Sequence, residues 1–82
     1  EQVISNKYIT IFKESVISVK VAMNLVVIKT MKGLGGSIAS FVDKLNINEL
    51  MGAVYGDDTV MLIFPTTTLA SSCVVTLSDM LG

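Results

Sequence analysis

Two adjacent carboxylates, Asp57 and Asp58, follow Gly56 between two apolar, β-branched runs, in the stretch Gly52-Ala53-Val54-Tyr55-Gly56-Asp57-Asp58-Thr59-Val60. A tight turn there concentrates negative charge. At roughly 6 Å and an effective dielectric near 20, two such charges repel by about 3 kcal/mol, against about 0.7 kcal/mol in bulk water. Buried in an interface, such a turn calls for a cation. A third carboxylate, Asp43, falls in the last turn of a predicted helix, where it opposes the helix macrodipole by about 0.3–1 kcal/mol. That local cost is explained either by a ligand outside the helix or by a surface Asp that is unengaged or paired with Lys44. A guanidinium pairs bidentately with carboxylates, and an amino acid bearing one also carries an α-ammonium. Asp43, Asp57 and Asp58 together suit both cationic ends of such a small ligand.

Other chemistries lack their residues. The chain has no His and one Cys, and its Asp and Glu residues are not at transition-metal spacing, so no zinc or iron site is expected. Gly33, Gly35 and Gly36 imitate a phosphate loop without the Gly-Lys-Ser/Thr ending that grips phosphate and magnesium. Gly-Asp-Asp between strands also occurs in viral RNA polymerases, whose palm, fingers and thumb need several hundred residues. Two carboxylates can act as general acid and base, but no nucleophile accompanies them. No catalytic residue is assigned, and an enzyme is not expected.

The elements that must position the carboxylates follow from periodicity. Between Ser15 and Met23, Ile17, Val19, Val21 and Met23 alternate with Ser18, Lys20 and Ala22, the pattern of a half-buried strand. Leu25 to Met31 is a second strand, joined through Asn24, which tolerates the positive φ of a short turn. Leu34, Ile38, Phe41, Val42 and Leu45 are spaced as one face of a helix whose other face carries Gly36, Ala39, Ser40 and Asp43. Such a small-residue face lets a backbone or a ligand come close. Leu50 to Tyr55 and Thr59 to Phe64 are two more strands around the Gly-Asp-Asp turn, and Pro65 stops the second. Thr66 is placed to cap a last helix that buries Ala70, Cys73, Val74, Leu77 and Leu81. Tyr8 to Phe12 reads as an extended linker or an edge strand. The order ββαββα gives an α+β domain, a four-stranded antiparallel sheet with two helices on one face and the other face left for partners.

Eighty-two residues make one domain that buries only about 60 to 65 per cent of its unfolded surface. Yet 51% of the residues are apolar and 16% charged, more apolar surface than so small a fold hides alone. A homo-oligomer is expected. A net charge of −1 with six scattered basic residues gives no footprint for a polyanion. No apolar run is long enough to span a bilayer. Cys73 sits in an apolar helical pattern and reads as a buried thiol in a reducing, cytoplasmic setting. The absence of an initiator Met suggests a fragment of something longer.

Three blocks carry a family resemblance: Asn24-Leu-Val-Val-Ile-Lys-Thr30, the helix from Ile38 to Leu45 with its Asp43, and Met51-Gly52-x-x-x-Gly56-Asp57-Asp58-Thr59. Together they resemble the C-terminal domain of the bacterial arginine repressor family, ungapped from Asn24 to Met80-Leu81. The resemblance implies a domain, residues 13–82, that assembles trimers and dimers of trimers and binds L-arginine as corepressor between them. It implies that residues 1–12 are a linker from an N-terminal winged helix-turn-helix domain that contacts operator DNA. Asp57 and Asp58 match the paired aspartates that contact arginine, and Asp43 the helical aspartate of the same pocket. No metal or other cofactor is implied.

The chain departs from the family pattern at three positions that would line the pocket. It has Gly36 where Gln is common, Ala53 where Thr is common, and Tyr55 where a smaller residue is common. Loss of the amide removes a contact worth about 0.5–1.5 kcal/mol, so Gly36→Gln is expected to tighten binding. Tyr55 either engages the ligand through its hydroxyl or ring face or packs across the strands. The same departures fit an alternative reading, a structural trimerisation domain of a paralogue that no longer responds to arginine.

Overall fold

The computed structural model describes residues 6–82. The elements are α1 (Asn6–Ser15), β1 (Val16–Ala22), β2 (Leu25–Thr30), α2 (Gly35–Lys44), β3 (Gly52–Tyr55), β4 (Thr59–Ile63) and α3 (Thr67–Leu81). The strands form one antiparallel sheet in the order β1-β2-β4-β3. This is the expected α+β architecture with one more helix than the sequence suggested.

Residues directly opposite one another in a ladder share a face of the sheet, so the register sorts every strand residue. Val19, Ile28, Val60 and Tyr55 form one row across the sheet, and Val21, Val26, Leu62 and Ala53 the next. Both rows face the helices. Val26, Ile28, Val60 and Leu62 are fully buried there against Ile38 and Val42 of α2 and Ala70, Cys73 and Leu77 of α3. The opposite face presents Leu25, Val27, Met61 and Ile63, none of them fully buried, beside an exposed Val54.

Three local expectations are corrected. The segment Tyr8 to Phe12 is neither extended nor an edge strand: it lies within α1, because Tyr8, Ile11, Phe12 and Ser15 at helical spacing outweigh the β-branched Ile9-Thr10-Ile11 run. Phe12 is fully buried, its ring centroid 4.9 Å from that of Phe41. Residues 1–5 of the expected linker lie outside the described residues. In the β1–β2 connection the positive φ falls on Met23 (56°), not on Asn24. Asn24 instead fastens the turn to the end of β4, its side-chain amide donating to the Phe64 carbonyl at 3.0 Å while the Phe64 N–H donates to the Asn24 backbone carbonyl at 3.0 Å. In β1 a register shift between Val16 and Ser18 takes Ile17 out of the alternation and leaves it exposed, with Val16 and Val19 packed on the core instead.

The two helices expected from the sequence behave as their residues require. In α2, Ile38, Phe41 and Val42 are buried, and so is Ala39, which periodicity had placed on the far face. Thr66 caps α3, its hydroxyl accepting from Leu69 N–H at 3.1 Å. Ser and Thr residues give α3 modest intrinsic propensity, so its burial of Ala70, Cys73 and Leu77 against β1 and β2 is what holds it.

Candidate functional site

The β3–β4 turn is fixed by backbone hydrogen bonds on three sides. Gly56 N–H donates to the Thr59 carbonyl at 2.8 Å, Thr30 N–H to the Asp58 carbonyl at 2.8 Å, and Gly35 N–H to the Asp57 carbonyl at 3.0 Å. The last of these satisfies one of the otherwise unpaired amides at the start of α2, which has no side-chain cap. It also explains the glycine: a Cβ at Gly35 would overlap the Gly56 carbonyl oxygen. The turn with its two aspartates thus abuts the positive end of the α2 dipole.

The two aspartates are not equivalent. The Thr59 hydroxyl donates to one Asp58 oxygen at 3.0 Å, and Lys29 Nζ lies 3.4 Å from the other while donating to Thr59 Oγ1 at 3.0 Å. The Thr59 hydrogen bond and then the Lys29 charge hold the Asp58 carboxyl below the usual carboxylate range. Lys29 reaches it because the β2–β4 register sets Lys29 opposite Thr59 on the outer face of the sheet. The cation that the turn calls for is therefore partly supplied from within the chain. Sequence reading missed it, since the signal lies in the pairing of strands that are not consecutive.

Beyond the turn, α2 and the edge strand β3 enclose an open cleft of about 350 Å³ lined by Gly36, Ala39, Ser40, Asp43, Lys44, Ala53 and Tyr55. Ala53 and Tyr55 reach it because the ladder turns both toward the helices. Gly36, Ala53, Tyr55 and Asp43, separated by up to 19 positions, meet here. Asp57 and Asp58 do not line this cleft. Their turn is bonded to Gly35 at the α2 N-terminus, about 12 Å along the helix axis from Asp43 at a rise of 1.5 Å per residue.

Tyr55 is the residue that shapes the cleft. Its ring rests on Gly36 so closely that a Cβ there would be 3.1 Å from Cε1 and 3.5 Å from Cζ. Among the described residues, Asp43 has neither an ion pair nor a side-chain hydrogen bond, and it is exposed. Its neighbour Lys44 does not pair with it; Lys44 Nζ stands 5.3 Å from the centre of the Tyr8 ring, within cation–π range. The cleft therefore combines an unpaired anion, a cation and an aromatic face, the means to hold a small charged molecule. No group of three or more His, Cys, Asp or Glu side chains suited to a metal ion occurs among the described residues. No helix among them is long and apolar enough to cross a membrane.

Residues 12–79 match the family described as the arginine repressor C-terminal domain. Curated relatives agree. The chain is 34% identical over 80 residues to an arginine repressor of Acetivibrio thermocellus, an alignment covering 98% of the chain and 52% of that protein. It is 33% identical over 82 residues to one from Clostridium acetobutylicum, covering 100% of the chain and 55% of the relative. A match of 41% over 59 residues to one from Lachnospira eligens covers 72% and 39%. The chain thus spans about half the length of the curated relatives it matches. With its α+β fold, its aspartate turn and this agreement along nearly its whole length, the chain belongs to the arginine repressor family, whose members regulate transcription rather than catalyse reactions, and corresponds to that family's C-terminal domain.

Proposed function

We propose that this domain is the arginine-sensing and assembly module of a cytoplasmic transcriptional regulator of arginine biosynthesis and catabolism. L-Arginine binds as corepressor between stacked trimers, held by Asp43, Asp57 and Asp58, with Gly36, Ala53 and Tyr55 lining the pocket. Residues 1–12 lead to an N-terminal domain that contacts operator DNA. The observation that carries this reading is the distribution of carboxylates about α2: Asp57 and Asp58 at its N-terminus and an unpaired Asp43 in its last turn. An amino acid cationic at both ends answers carboxylates of both kinds, and copies of the chain meeting there complete the enclosure that one copy leaves open. The unfilled outer face of the sheet, with Leu25, Val27, Val54, Met61 and Ile63, supports self-association.

Ligand that binds the hexamer better than the trimer must by linkage favour the hexamer. Sedimentation velocity of the chain, alone and with millimolar L-arginine or citrulline, tests this. A shift from trimer to hexamer with L-arginine and not with citrulline, which lacks the guanidinium charge, is the expected result. Tyr55 seated over Gly36 favours the second reading, a trimerisation domain without effector response. That reading predicts a species that L-arginine neither shifts nor binds to, by calorimetry as well as by sedimentation.

A further inference from the structure

We infer that Lys44 reads the carboxylate of the bound amino acid and so makes the site selective for a zwitterion over a simple organic cation, an inference that rests on the arginine reading above. The α2–β3 cleft is lined by opposite charges on consecutive residues, Asp43 and Lys44. Consecutive residues of a helix do not face each other, which leaves each of these charges to find another partner. Among the described residues Asp43 has no ion pair, and Lys44 is drawn to the Tyr8 ring of α1, 5.3 Å from its centre. Tyr8 lines the neighbouring cavity between α1 and α2, and Lys44 lines both that cavity and the cleft, so its ammonium rests on the ring without being spent on the carboxylate, and a turn of its side chain presents an unneutralised cation to the cleft that the unneutralised Asp43 also lines. That is the complement of an α-amino acid head group, whose ammonium and carboxylate share one carbon. Tyr8 offers only its ring face, a weaker partner than a carboxylate, so Lys44 can turn from one to the other.

Among the described residues, Lys44 is the one cationic side chain lining this cleft. Lys29, the other lysine of the region, is taken by Asp58 and Thr59 on the outer side of the sheet. A ligand with a guanidinium but no carboxylate would leave Lys44 unanswered and bring its charge toward a like charge.

Calorimetric titration with L-arginine and with agmatine, which keeps the guanidinium and lacks the carboxylate, tests the role in the wild-type chain, Lys44→Met and Lys44→Arg. The wild type is expected to prefer L-arginine by about tenfold or more, the scale of one charge-assisted contact. Lys44→Met should lose about tenfold in L-arginine affinity while agmatine binds as well as to wild type or better, collapsing the preference, and Lys44→Arg should keep it. Wild-type chain that binds both ligands equally, or a Lys44→Met variant that weakens both alike or neither, overturns the assignment of Lys44 while leaving arginine recognition standing. Wild-type chain that binds neither ligand overturns the arginine reading itself and the role of Lys44 with it.

Discussion

The Tyr55 ring lies against Gly36, at a distance that leaves no room for a side chain at position 36 unless the ring moves. Two of the three departures from the family pattern, Gly36 and Tyr55, are therefore one structural change, an aromatic on the edge strand filling the space above a glycine on the helix. The expectation that Gly36→Gln by itself adds a ligand contact is revised accordingly. Calorimetry should find that Gly36→Gln alone does not tighten L-arginine binding, whereas Gly36→Gln in a Tyr55→Ala background binds more tightly than Tyr55→Ala alone. The coupling between the sites should be about 0.5–3 kcal/mol, the range for side chains in contact. Effects that add within about 0.5 kcal/mol would show that the ring does not govern position 36.

Two neighbouring glycines should respond very differently to alanine. At Gly35 a methyl group meets the Gly56 backbone, which is held by its own turn, so Gly35→Ala should cost about 2–3 kcal/mol and weaken the clamp on the aspartate turn. At Gly36 the obstacle is the exposed Tyr55 side chain, which can swing aside, so Gly36→Ala should stay within about 1 kcal/mol, helped by the better helix propensity of alanine. Urea unfolding midpoints at equal protein concentration compare them. Equal losses at both positions would mean that the turn is not seated on the helix as described.

The distinction between the two aspartates can be read by titration. Asp58 has its folded-state pKa depressed by Thr59 and Lys29, so whatever stability it contributes is present above its unfolded value of about 3.8 and is lost as pH falls through the lower folded value. Carboxyl chemical shifts should place the Asp58 midpoint below 3.8, and both Thr59→Val and Lys29→Met should raise it, since each removes a cause of the depression. A midpoint that moves with neither change would remove both partners from the account.

Much of this was legible in the sequence because it depends on short-range patterns. Four strands, two helices, the Thr66 cap and the aspartate turn all follow from local periodicity and turn chemistry. The α1 helix was hidden by Ile9-Thr10-Ile11, whose β-branched side chains favour a strand until Phe12 finds Phe41, 29 positions away. Lys29 beside Asp58, Tyr55 over Gly36 and Lys44 over Tyr8 each arise from the pairing of elements distant in sequence. Residue types nominated Asp43, Asp57, Asp58, Gly36, Ala53 and Tyr55, but only the sheet register and the seat of α2 say which of them share a cleft.

Cys73 offers a check on the packing of α3. Burial pushes its thiol up from 9.0 to about 11. The folded value is raised, so the associated stability is complete below pH 9 and is lost as pH rises through 11. Alkylation by iodoacetamide at pH 8.5 should be slow in native chain and fast in urea, since the thiolate is the nucleophile. The urea midpoint of wild-type chain should also fall more between pH 9 and 11 than that of Cys73→Ala. Rapid alkylation of native chain would place the thiol at the surface.

The N-terminal edge of the folded unit is the last question that a substitution can answer. Phe12 contributes a fully buried ring against Phe41, and α1 packs on both α2 and α3, so α1 belongs to the core although the resemblance assigns residues 1–12 to a linker. Phe12→Ala should cost about 3–5 kcal/mol, a large share of the roughly 5–15 kcal/mol available to a small domain. A chain beginning at Lys13 should lose at least as much, because it also forfeits Tyr8 and its contact with Lys44. If the shortened chain instead unfolds at the same urea concentration as the 82-residue chain, residues 1–12 are a linker in the energetic sense too, and the helix is an ornament on a domain that is complete without it.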